Sequence, residues 1–119
     1  MKTSIWTSGS KSGSVRKLRA EVVRRIVFRK KASAELRAIA DFTEERWGEQ
    51  QASDYVADLR ARIASLGEFP MRFPEFGPDR PGLRKMRCGS HVVFYVIGDN
   101  AVVIARILHE SQDFKARLR

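Results

Sequence analysis

The chain has 119 residues, room for one domain and one core, and its 43% hydrophobic and 31% charged residues are those of a globular chain. Its 23 Lys and Arg against 14 Asp and Glu leave a net charge of +9, which speaks of acidic or nucleic-acid partners and not of fold. A lone cysteine, Cys88, excludes an intrachain disulfide and fits a reducing cytoplasm.

Cys88, His91 and His109 lack metal-ligand spacing, so neither a metal nor another cofactor is expected. No apolar run reaches the ~18 residues of a membrane span, and the N-terminus has no apolar stretch of signal-peptide length. Neither a membrane nor export is therefore expected. The charge is uneven: residues 1–30 carry 9 basic and 1 acidic residue, residues 31–68 carry 5 and 8, and residues 69–119 carry 9 and 5. An acidic block between two basic ones argues against a uniformly coated nucleic-acid binder, so direct nucleic-acid contact is a secondary expectation.

The chain divides into a basic extension, residues 1–21, and a domain over residues 22–119. The extension holds "SGSKSGS" and scattered apolar residues, the composition of a mobile arm. A start of translation at Val22 or Val23 is the alternative. "VVRRIVF", residues 22–28, is β-branched and short, a first strand. From Lys31 the period changes. Ala32, Leu36, Ile39, Ala40, Thr43 and Trp47 share one face of an amphipathic helix that Gly48 ends. Ala52, Tyr55, Val56, Leu59, Ile63 and Leu66 mark a second helix, stopped by Gly67 and Pro70. So short a connection makes the pair an antiparallel αα-hairpin. Glu35, Asp41, Glu44, Glu45, Glu49, Asp54 and Asp58 then fall on its outward faces as a solvated surface. Trp47 and Tyr55 pack within the hairpin, where an aromatic at the tip could also anchor a partner.

"FPMRFPEFGPDRPG", residues 69–82, is a loop kept extended by four prolines and stapled by its phenylalanines. Residues 81–114, "PGLRKMRCGSHVVFYVIGDNAVVIARILHESQDF", read as a three-stranded meander broken at two glycine turns. Val92, Phe94 and Val96 face one way and Val93, Tyr95 and Ile97 the other, so this strand is central and covered on both faces. "FKARLR" forms a short basic terminal helix. The meander gathers Arg84, Lys85, Arg87, Arg106 and His109 on one small sheet, a surface that must face something anionic or a partner that covers it. Lys85 and Arg87 share a face and Arg84 points away from them. Edge protection is the other role open to these charges. His109, at a strand end, has the chemistry of a general base on a ribose hydroxyl with Arg87 or Arg106 on the phosphate, or of a turn-holding group. His91 opens a strand after a turn and is expected to be exposed.

"FRKKASAELRAIADFTEERWG", "FPMRFPEFGPDRPGLRKMRCGSHVVFYVI" and "ARILHESQDF", in this order, resemble the RelE/ParE superfamily of bacterial toxins over residues 22–119, and its ParE branch most. The resemblance implies an α+β fold: an N-terminal strand and an αα-hairpin packed on a mainly antiparallel four-stranded sheet. It implies the toxin of a type II toxin–antitoxin system, bound to a ParD-like antitoxin as a hetero-oligomer and inhibiting DNA gyrase without chemistry of its own. Arg84, Arg87, Arg106 and His109 are the expected target contacts, and Trp47, Tyr55, Phe73 and Phe76 the expected antitoxin contacts. The RelE branch instead cuts messenger RNA on the ribosome, and its arginine near the start of the third strand is replaced here by Val92. Were the chain such a metal-independent nuclease, His109, Arg87 and Arg106 would be its catalytic residues. A non-toxic relative that only binds antitoxin is a third possibility.

Overall fold

A computed structural model of the protein describes residues 23–118; the basic extension 1–21 and Val22 lie outside the described residues. Strand β1 (Arg25–Phe28) leads into helix α1 (Lys30–Trp47) and helix α2 (Glu49–Ser65). A single 3-10 turn (Pro70–Arg72) interrupts the proline-rich loop, and β2 (Leu83–Cys88), β3 (His91–Ile97), β4 (Ala101–His109) and a short helix α3 (Phe114–Arg117) follow. Gly48 makes the sharp turn between α1 and α2 with a φ of 98°, a conformation that L side chains rarely adopt, and its N–H donates back to the Glu44 carbonyl.

The four strands lie in the order β1-β4-β3-β2, with β1 parallel to β4 and the other neighbours antiparallel. The hairpin covers one face. Ala32, Leu36 and Ile39 from α1 and Leu59 and Ile63 from α2 meet Met86, Val93, Tyr95, Val102, Ile104 and Ile107 of the sheet. Tyr95 is fully buried, and its hydroxyl donates to the Pro70 carbonyl at 2.6 Å, which ties the loop to the core. On the opposite face Leu83, Val92, Phe94 and Leu108 are covered by Leu118, Phe114 and Phe76. Phe94 thus takes ring edges from both Phe76 and Phe114, at centroid distances of 5.4 and 5.1 Å. Strand β3 is central and covered on both sides, as its unbroken apolar run demands.

Two departures from the sequence reading concern β4. Its register against β3 slips between Phe94 and Tyr95, so Arg106 faces Phe94 while Ile104 faces Tyr95, and Ala105 is the extra residue of a β-bulge. The slip lets Ile104 and Ile107, three apart, both reach the helix-covered core. Beyond Ile104, moreover, β1 has ended and the edge of β4 has lost its partner strand. Glu35 replaces it. One carboxylate oxygen accepts the Ile107 N–H at 2.7 Å, and the other accepts two N–H groups of Arg106 at 2.8 and 2.6 Å. Glu35 is therefore not part of the solvated acidic surface, because an otherwise unpaired backbone donor and a guanidinium both need it.

Candidate interaction surface at the strand ends

The Gly89–Ser90 turn and the end of β4 set His91 directly opposite His109, with the two rings edge to face at 5.2 Å. Gly89 has a φ of +61°, and a Cβ there would fall 2.7 Å from the Tyr55 hydroxyl, so a glycine is what lets α2 lay its tyrosine against the turn. The Tyr55 oxygen lies 2.7 Å from His91 Nδ1, accepts the Ser90 N–H at 3.2 Å and stands 3.3 Å from the Cys88 carbonyl. A His91 protonated on Nδ1 satisfies the whole set: the hydroxyl accepts from His91 and Ser90 and donates to Cys88. His91 is accordingly half-buried rather than exposed. Burial first, and the neighbouring His109 second, push its pKa below the usual histidine value.

His109 is exposed, and its Nδ1 accepts the N–H of Ser111 at 3.1 Å with the Ser111 hydroxyl at 2.8 Å. The ring is a local turn-holder. Between it and the hairpin tip lies a groove of about 490 Å³ lined by Phe42, Arg46, Trp47, Tyr55, His91 and His109. The expected packing of Trp47 within the hairpin is not realised: Phe42 and Trp47 are 58% and 59% exposed, with the Arg46 guanidinium 5.8 Å from each ring. At 100° per residue Trp47 has drifted about 60° round the helix from Ala32, onto the flank of the buried stripe. Among the sequence-derived residues, the structure brings Trp47, Tyr55 and His109 into one groove. It adds Phe42, Arg46 and His91, which the periodicity did not single out. An apolar Phe42 lying off the buried stripe was the one available signal.

The remaining candidates are scattered and already engaged. Arg87 is ion-paired with Glu110 on the surface. Arg106 is held by Glu35, and its Nη1 also donates to the Arg117 carbonyl at 2.6 Å. Arg84 donates to the Phe73 carbonyl at 2.6 Å and faces Glu75 at 3.8 Å. These contacts fasten the proline-rich loop along β2, where the Phe76 N–H also bonds the Leu83 carbonyl and the Lys85 N–H the Pro74 carbonyl. Arg84, expected to point away from Lys85 and Arg87, binds the loop, and Arg87 and Arg106 likewise each find an anion or carbonyl within the chain. Phe73 packs on the helix-side core and Phe76 on the opposite one. Cys88 is buried, which raises its thiol pKa and leaves it unreactive at neutral pH. Among the described residues no group of three or more His, Cys, Asp or Glu is placed to hold a metal ion, and no helix is long and apolar enough to cross a membrane.

Residues 26–114 match the profile of the family described as "ParE toxin of type II toxin-antitoxin system, parDE". The chain belongs to that family. Among its ParE relatives, Toxin ParE1 of Caulobacter vibrioides is 39% identical over 89 residues, which is 75% of this chain and 92% of the relative. The ParDE system of P. aeruginosa includes a chain that superposes with a TM-score of 0.64 at 20% identity, over 73% of this chain and 96% of its own length. A chain of the RelBE2 complex from Mycobacterium tuberculosis superposes at 0.55 and 22% identity, over 74% of this chain and 99% of its own length. A chain of a ParDE system and a chain of a RelBE2 complex thus share this fold, and it is the sequence that puts this chain with ParE.

Proposed function

We propose that this ParE-family toxin acts in the cytoplasm, inhibits DNA gyrase by protein–protein contact, and is neutralised by a ParD-like antitoxin with which it forms a hetero-oligomer. What carries the choice of inhibition over cleavage is the engagement of the cations. An enzyme that cuts a phosphodiester by proton transfer at His109 needs a guanidinium free to meet the charge growing on the phosphate. Here Arg87 faces Glu110, Arg106 is clamped by Glu35, and Arg84 binds a backbone carbonyl. His109 itself is engaged with Ser111, not with a carboxylate.

An exposed aromatic pair around a cation is, by contrast, the chemistry of a protein-binding hot spot. His109, among the proposed target contacts with Arg84, Arg87 and Arg106, lines the same groove as Trp47 and Tyr55, among the proposed antitoxin contacts with Phe73 and Phe76. Neutralisation on this reading is by occlusion: an antitoxin seated on Trp47 and Tyr55 would cover His109 and deny the groove to the target. Induction of the toxin should block supercoiling by gyrase and raise the DNA-damage response, with translated messages left uncut in primer extension. His109→Gln should have only a modest effect on growth arrest. Cleaved messages beside unaffected gyrase would overturn the assignment.

A further inference from the structure

The cations around β1 are the reverse of those near the strand ends. β1 is an edge strand, and Arg25 stands exposed on it. Just past its end Arg29, Lys30 and Lys31, all exposed, line a groove of about 720 Å³. Arg37 of α1 and Arg60 of α2, also exposed, line a smaller groove of about 170 Å³ together with Phe28 and Ser33. The two grooves flank the junction of β1 and α1, so these six cations form one band around that corner of the molecule. None of them lines the strand-end groove that holds His109.

Among the described residues none of the six takes part in a salt bridge, whereas Arg62, Arg84, Arg87 and Arg106 all do. Arg80 and Arg106 also line the larger groove, but both are bonded within the chain and stand outside the band. Asp79 is the one carboxylate lining either groove. Lys30 and Lys31 do not serve their own helix, since cations in a first turn oppose the helix dipole. Glu44 and Glu45 lie about 20 Å along the axis from them, roughly twice the Debye length at physiological salt, and so hardly offset them. The chain preceding β1 adds charge of the same sign, with five cations and one carboxylate in residues 1–22.

We propose that this band binds the phosphate backbone of duplex DNA without reading its sequence. The contact is with the duplex itself and does not rest on the gyrase reading. Guanidinium and ammonium groups spread over one surface and free of carboxylates are what successive phosphates need. Edge protection accounts for Arg25 on the strand but not for Arg37 and Arg60 on the helices. A protein partner needs apolar anchors at the centre of its interface, and of the exposed large apolar side chains Val23, Phe42, Trp47, Phe69 and Met71 none lines either groove. A lipid surface likewise needs apolar side chains to insert beside its cations. Phosphate contacts need none, and they position a duplex without regard to its bases.

The test is the binding of labelled DNA duplexes of about 20 base pairs to the purified full-length chain, followed by fluorescence anisotropy across a salt series. Two duplexes of unrelated sequence should bind alike. Lys30→Gln with Lys31→Gln, and Arg37→Gln with Arg60→Gln, should each weaken binding about tenfold. Each pair should also reduce the slope of log affinity against log salt by about two, one for each phosphate contact removed. Lys85→Gln with Lys115→Gln removes the same charge from exposed positions on the other edge strand and on α3, and should leave affinity within about twofold of the wild type. Gln matches Lys and Arg as a helix former, so melting temperatures should hold and lost binding cannot be blamed on unfolding. Equal weakening by all three pairs would reduce the effect to net charge and overturn the band as a site. A wild-type chain that fails to bind duplex at about 50 mM salt overturns it too. So does binding that survives both pairs around β1 and disappears when residues 1–22 are deleted. Tighter binding of polyglutamate than of duplex, lost in the same two pairs, overturns it in favour of an acidic protein. Binding to phosphatidylserine vesicles alone overturns it in favour of a lipid surface.

Discussion

The helix-covered face of the sheet is sealed by two helices of 18 and 17 residues, and the opposite face by a helix of four residues with the side chains of a loop. On the first, Leu59, Ile63 and Leu66 of the hairpin share one buried cluster with Met86, Val93 and Tyr95 of the sheet. On the second, Phe94, Leu108 and Leu118 are buried while Phe76, Phe114, Val96 and Ala105 are only partly covered, and Val96, Ala105 and Leu118 line a groove of about 720 Å³. One face is covered along its length by two helices, while the other leaves part of its apolar surface less covered. Leu59→Ala should accordingly cost about 3–4 kcal/mol in denaturant unfolding, because a site framed by two helices and a sheet cannot collapse around the cavity. Leu118→Ala should cost nearer to about 1–2 kcal/mol, since a terminal turn can settle inward. Equal costs for the two would show that both faces are equally rigid.

The clamp between Glu35 and Arg106 joins these two regions. Its side chains are 22% and 16% exposed, and Arg106 also bonds the carbonyl of Arg117 in α3. Glu35→Gln keeps an acceptor for the Ile107 N–H but leaves the guanidinium without its counter-ion. A loss of about 2 kcal/mol is expected, toward the middle of the range for hydrogen bonds to charged groups. Hydrogen exchange should show the end of β4 and the C-terminal turn opening together. Loss confined to α1 would mean that the clamp does not link the faces.

Local pattern carried much of this fold. The apolar stripes of α1 and α2 and the two-sided run of β3 are each legible because burial imposes a period on neighbouring residues. The bulge at Ala105 was not, because a single inserted residue leaves "AVVIARILH" apolar at almost every step and hides the slip. Nor was the role of Glu35, whose partners lie 71 and 72 residues along the chain and whose own helix position reads as solvent-facing. The same limit shaped the candidate site. Arg84, Arg87 and Arg106 are close in sequence or on adjoining strands, yet their partners come from the loop, the C-terminal turn and α1, and these separate them. Trp47, Tyr55 and His109 were named for different roles, and only the tertiary fold puts them in one groove.

Trp47→Ala should sharpen the contrast between binding surface and core. Exposed on the flank of α1, the ring has little to lose on truncation, and stability should change by less than about 0.5 kcal/mol. Affinity for the antitoxin should fall by about tenfold or more if the ring is the anchor proposed for it. Calorimetric titration beside a thermal melt reads both quantities. A large melting shift with intact binding would make Trp47 a structural residue after all.

The smallest effect is the pH response of His91. Its folded pKa lies below the usual histidine value because burial, and then the charge of His109, disfavour the imidazolium. In the unfolded chain the ring takes up a proton near its ordinary pKa of about 6.5. As pH falls through that value the unfolded state gains protons that the folded state resists, so stability declines, and the decline ends once the lowered folded pKa is passed. Above about pH 7 the ring is neutral in both states and contributes no slope. His91→Gln keeps a polar partner for the Tyr55 hydroxyl and removes the titration. Urea midpoints followed from about pH 8 to pH 5 should therefore fall less steeply in the variant than in the wild type. Two parallel profiles would show that the titration of His91 does not contribute to the acid sensitivity of the fold.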